Sequence, residues 1–108
     1  MRGSKRSARA ERATLRVATI LIAEDESAIA DTVLYALRSE GLEAEHCLLG
    51  RDVVPRVRAG GVDVVVLDVG LPDRSGFDVC KELRSFSEVP VIFLTASNDE
   101  IDRVLGLE

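Results

Sequence analysis

The chain has 108 residues, 46% apolar and only 4% aromatic, and a net charge of −5. That allows one domain around one aliphatic core. No apolar run approaches the ~18 residues of a membrane span and no signal-peptide pattern is present, so a cytoplasmic protein without membrane contact is expected.

Residues 1–16 hold six basic side chains against Glu11 alone, which leaves about −10 on the rest. This head has no apolar periodicity before Leu15 and is expected to be disordered: an appended tag, an over-extended start or a natural basic arm. The acidic body argues against nucleic acid as its own ligand. From residue 17 the pattern alternates. Val17–Ala23 is too short for a helix and rich in branched residues, so it reads as a buried strand. Ser27–Glu40 has Ile29, Val33, Leu34 and Leu37 at helical spacing, with Gly41 as the stop. Leu42–Cys47 places Glu43 and Glu45 on one face, which suits an edge strand. Arg51–Ala59 reads as a weaker helix, with Pro55 tolerable only in its first turn. Val62–Asp68 is the most apolar strand and is expected at the centre. Phe77–Phe86 is a helix with Phe77, Cys80 and Leu83 inward. Val89–Thr95 is a buried strand with Pro90 near its start. Ser97 or Asn98 caps a last helix that carries Ile101, Val104 and Leu105 on one face. Cys47 and Cys80, with a single His in the chain, read as reduced thiols.

Strands alternating with helices imply a parallel sheet covered on both faces. Such sheets bind ligands beyond the carboxyl ends of their strands. Three of those ends are polar: Glu24-Asp25 after the first strand, Asp68 ending the third, and Thr95 ending the fourth. Taken singly, each has a bland reading. Glu24 and Asp25 can cap a helix, Asp68 can start a turn, and Thr95 can be an ordinary strand residue. Taken together, with the first and third strands as neighbours, the carboxylates converge and repel unless a cation intervenes. Oxygen ligands without His or Cys point to a hard ion that keeps waters, and Mg²⁺ suits that set. A metal, a carboxylate nucleophile and a hydroxyl are equipment for phosphoryl transfer. Gly70 lets the backbone pass close to the metal and can offer a carbonyl, and Pro72 fixes the loop. His46, Arg74, Asp31, Asp52 and Glu82 read as solvated surface.

The stretches "ILIAEDES" (20–27), "VVVLDVGLPDRSGFDVC" (64–80) and "PVIFLTAS" (90–97) resemble the receiver domain of bacterial two-component response regulators. Within it, the resemblance is to the winged-helix (OmpR/PhoB-like) class and its CreB-type regulators, transcription regulators that bind DNA in their full-length form. The resemblance implies a flavodoxin-like (CheY-like) doubly wound sheet of strand order 2-1-3-4-(5). It implies Asp68 as phosphoacceptor, Asp25 as a Mg²⁺ ligand with Glu24 alongside through water, and the Gly70 backbone carbonyl on the metal. It implies Thr95 as the switch hydroxyl, Ala96 as the small neighbour that gives it room, and Pro72 as the loop proline. The implied partners are a sensor histidine kinase, a second copy through the last-helix face, and DNA only through a C-terminal domain outside this chain. Residues 17–108 are then expected to be an incomplete receiver domain. By that resemblance a fifth strand and helix are missing from this chain, and with them the family's phosphoryl-binding lysine, so phosphorylation is expected to be weak or absent. Two rivals stand beside this reading. One is a phosphorylation-independent interaction module or inactive fragment. The other is a phosphatase of the haloacid-dehalogenase type, which needs an acid where Gly70 stands.

Overall fold

The computed structural model describes residues 17–94. The basic head, Thr95, Ala96 and the expected last helix lie outside the described residues. In chain order the elements are β1 (Thr19–Ala23), α1 (Ser27–Ser39), β2 (Glu43–Cys47), a 3-10 turn (Gly50–Asp52) running into α2 (Val53–Arg58), β3 (Val64–Asp68), α3 (Gly76–Arg84) and β4 (Val91–Leu94). All strand pairs are parallel and the order is β2-β1-β3-β4. The doubly wound fold and its strand order are therefore as expected, with β3 inside and the acid-bearing β2 at an edge.

The pleat sorts the core into two layers. Leu21, Ala23, Val65 and Leu67 point to one face, against Val53, Val54 and Val57 of α2 and Val79 and Leu83 of α3. Ile20, Ile22, Ala44 and Val66 point to the other, against Leu34 of α1. Burying one such aliphatic side chain contributes about 1.5–3 kcal/mol. A half-buried, solvent-screened ion pair such as Glu45–Arg56, bidentate at 2.6 and 2.9 Å, contributes about 1 kcal/mol. The layers hold the fold; the ion pair fixes where α2 sits against β2.

Two details of the helix faces differ from expectation. On α1 the buried stripe is Ala30 and Leu34, while Ile29 is 41% exposed. It lies about 100° round the helix from Ala30, at the rim of the apolar face. On α3 the buried residues are Gly76, Val79 and Leu83. Phe77 and Cys80 are half-buried, and Phe77 packs tilted on Phe93 of β4 with ring centroids 4.9 Å apart. Pro55 sits in the first turn of α2, where the missing N–H does no harm. Pro90 precedes β4, and its carbonyl still accepts from the Val65 N–H at 2.9 Å.

Gly76 shows why α3 can start so close to β3. A Cβ there would stand 2.4 Å from the Asp68 carbonyl oxygen and 3.0 Å from the Val69 Cα. These are backbone atoms and cannot rotate away. Gly76→Ala is therefore expected to destabilise the chain by about 3 kcal/mol, at the upper end for overpacking, and a denaturant melt measures it. An unchanged midpoint would show that α3 need not approach the strand so closely.

Candidate functional site at the strand ends

Ala23 of β1 pairs with Leu67 of β3. The next residues, Glu24 just past β1 and Asp68 ending β3, therefore stand side by side at the rim, and Asp25 follows on the turn into α1. One carboxylate oxygen from each of Glu24, Asp25 and Asp68 lies within 4.8 Å of the other two. Glu24 is buried, at 2% exposure, whereas Asp68 is half-buried and Asp25 exposed. The cluster is thus a rim with one inward wall. A hollow of about 390 Å³ lined by Asp31, Leu34, Tyr35, Arg38 and Ser39 lies on α1 and shares no residue with it.

Local bonds aim these acids. The Glu26 N–H donates to Glu24 Oε2 at 3.0 Å, and the Gly70 N–H donates to Asp68 Oδ1 at 2.9 Å. A Cβ on Gly70 would meet only Asp68 Oδ1, at an ordinary 3.9 Å. Close approach of the backbone therefore does not itself require glycine at that position. The β3–α3 loop is tied down at Asp73, which the sequence reading passed over. Its carboxylate accepts from the N–H groups of Gly50 and Arg51, both at 2.8 Å. The only signal in the sequence is local, an acid following a proline in a turn, and it says nothing of the loop at Gly50 and Arg51. Arg74 and Glu82 are not merely solvated, since they pair at 2.7 Å.

Burial pushes the Glu24 carboxyl up from 4.5 to about 7, against the Glu26 N–H bond and with help from Asp68 and Asp25. The folded chain thus holds a proton that the unfolded chain releases between pH 4.5 and about 7. Stability must fall as pH rises through that window, by roughly 3 kcal/mol at 1.36 kcal/mol per pH unit, and then level off. Glu45, held low by Arg56, acts oppositely but at lower pH. We expect the melting temperature in chelator to be lower at pH 8 than at pH 5, and Glu24→Gln to remove most of the difference. A melting temperature equal at both values in the parent chain would contradict the buried, proton-holding Glu24.

The cluster fits a hard divalent cation. Three carboxylates converge, one of them buried beyond solvent's reach, and all donors are oxygen. A Mg²⁺ ion would be held by Asp25 and Asp68, with Glu24 behind them.

Residues 20–108 match the family model described as the response regulator receiver domain. The chain belongs to the response regulator receiver domain family. Among curated relatives of this receiver, the transcriptional regulatory protein CreB of Escherichia coli is 47% identical over 91 residues, covering 83% of this chain and 40% of CreB. The sensory transduction protein RegX3 of Mycobacterium tuberculosis is 48% identical over 90 residues, with the same coverage. The chain thus spans about two-fifths of the curated relatives it matches. Among solved structures, the chemotaxis response regulator CheY4 of Vibrio cholerae superposes with a TM-score of 0.76 at 26% identity, covering 85% of this chain and 79% of CheY4. The RstA receiver domain of Klebsiella pneumoniae superposes with 0.74 at 22%, covering 82% and 76%, and speaks to the fold of the receiver alone. No helix among the receiver's described residues is long and apolar enough to cross a membrane.

Proposed function

We propose that this receiver domain accepts a phosphoryl group on Asp68 from a phosphohistidine of a sensor histidine kinase in the cytoplasm. The observation that carries the reading is the convergence of Glu24, Asp25 and Asp68 at neighbouring strand ends. When bound, Mg²⁺ supplies charge neutralisation for the transferring group. Asp25, Asp68 and the Gly70 carbonyl would hold the ion, and Glu24 would act on it through water. The second Asp68 oxygen attacks phosphorus in line, the phosphorus–nitrogen bond of the donor breaks, and the leaving imidazole takes a proton. The Gly70 N–H on Asp68 Oδ1 keeps that carboxylate facing the rim. Thr95, with Ala96 leaving room, donates to the new phosphoryl oxygens, and Pro72 keeps the loop in place. The added charge shifts a pre-existing equilibrium toward an active conformer. In a full-length regulator that conformer pairs with a second copy through the face after Thr95 and brings DNA-binding domains onto DNA. The domain assists its own phosphorylation and dephosphorylation but turns over no separate substrate.

Incubation with Mg²⁺ and acetyl phosphate, followed by intact mass, tests this. A slow, partial gain of one phosphoryl group that accumulates is the expected result. Rapid consumption of donor without accumulation would favour a phosphatase, although Gly70 stands where that chemistry needs a second acid. No gain and no consumption would favour a phosphorylation-independent interaction module or an inactive fragment.

A further inference from the structure

The ladder between β1 and β2 ends at the pair Ala23–Cys47. One residue further, the Glu24 N–H still donates to the Cys47 carbonyl at 3.1 Å. The Glu24 carbonyl is met by a side chain instead: the His46 ring, with Nε2 at 2.7 Å. Both backbone groups of Glu24 are therefore held from the edge strand, one by backbone and one by an imidazole. The bond needs a proton on Nε2, which both the cation and one neutral tautomer provide.

We infer that His46 is a positioning residue for the Glu24–Asp25 acid pair, acting through the Glu24 carbonyl. The peptide unit joining the two acids is planar, so a fixed carbonyl fixes the whole plane. That plane sets ψ of Glu24 and φ of Asp25, the two torsions that decide how the carboxylates lie relative to Asp68. Asp25 is exposed; the Glu26 N–H on Glu24 Oε2 holds the turn around it, and the His46 bond holds the peptide that precedes it. A brace on its preceding peptide therefore narrows its range directly. His46 itself is exposed on the sheet edge and takes no part in either core layer, so its removal leaves packing intact. The inference rests on the metal reading above and assigns to His46 a contribution to the affinity of that site.

Calorimetric titration of Mg²⁺ into the 108-residue chain at neutral pH tests it without any phosphodonor. His46→Phe keeps a ring of similar size and removes the donor. His46→Gln restores an N–H of similar reach. We expect His46→Phe to weaken Mg²⁺ about fivefold, as losing one hydrogen bond would, and His46→Gln to return to within about twofold of the parent. Melting temperatures in chelator should match the parent for both. His46→Phe binding Mg²⁺ like the parent, or His46→Gln binding as weakly as His46→Phe, would overturn the inference. Asp25→Asn separates the two claims. If it binds Mg²⁺ as well as the parent, the metal site itself is misplaced. If it loses Mg²⁺ while His46→Phe does not, only the role of His46 fails.

Discussion

Asp68→Asn is expected to abolish phosphoryl gain from acetyl phosphate altogether, while making the chain more stable in chelator at neutral pH. The loss follows from chemistry, because an amide oxygen cannot form the acyl phosphate that a carboxylate forms. The gain follows from electrostatics. Asp68 helps burial hold the Glu24 carboxyl at about 7, so removing its charge relieves part of a repulsion present in the folded state only. About 1 kcal/mol of added stability is the expected scale, which in a domain this small moves the melting temperature by several degrees. Paired loss of activity and gain of stability is the mark of a site that carries strain for its function. A variant that loses phosphorylation and also melts lower would show that Asp68 serves the fold.

Asp25→Asn should leave the fold untouched and slow phosphoryl gain about a hundredfold, the scale on which a single preorganised charge-stabilising group acts. Asp25 is exposed, and the turn around it is fixed by Glu24 and Glu26, so no packing is disturbed. Raising Mg²⁺ should recover part of the lost rate, since the defect is one of metal affinity. A rate unchanged by Asp25→Asn, or a defect that Mg²⁺ leaves as it is, would place the ion elsewhere. Together the two variants separate the roles: Asp68 makes the bond and Asp25 holds the ion.

Most of the fold was legible in the sequence because its signals are local and strong. "VVVLD" can hardly be anything but a buried strand, and an acid at its end marks the rim of a parallel sheet. The acid cluster was legible for the same reason. Once β1 and β3 are neighbours, the register that pairs Ala23 with Leu67 leaves little freedom for Glu24 and Asp68. What the sequence hid are contacts across loops. Asp73 reads as a turn residue, and nothing near it announces that Gly50 and Arg51, in another loop, donate to it. His46 reads as an edge-strand surface residue, which it is, yet its ring reaches back to the Glu24 carbonyl. The sequence shows Gly76 only as a glycine just before the helix expected from Phe77, whereas the 2.4 Å approach to the Asp68 carbonyl depends on how tightly α3 docks. On α3, Leu83 is buried and Cys80 packs against the core as expected, but Val79 is also fully buried, whereas Phe77 is only half-buried and packs on Phe93. Helical spacing alone does not settle which of two apolar neighbours points in.

The most direct measurement is to locate the phosphoryl group. The chain is treated with acetyl phosphate in Mg²⁺ or in chelator, the acyl phosphate is trapped by reduction, and its peptides are weighed. One modified residue, Asp68, labelled only when Mg²⁺ is present, is the result this account predicts. Label on Asp25 or Glu24 in place of Asp68, or labelling of Asp68 that persists undiminished in chelator, would contradict it.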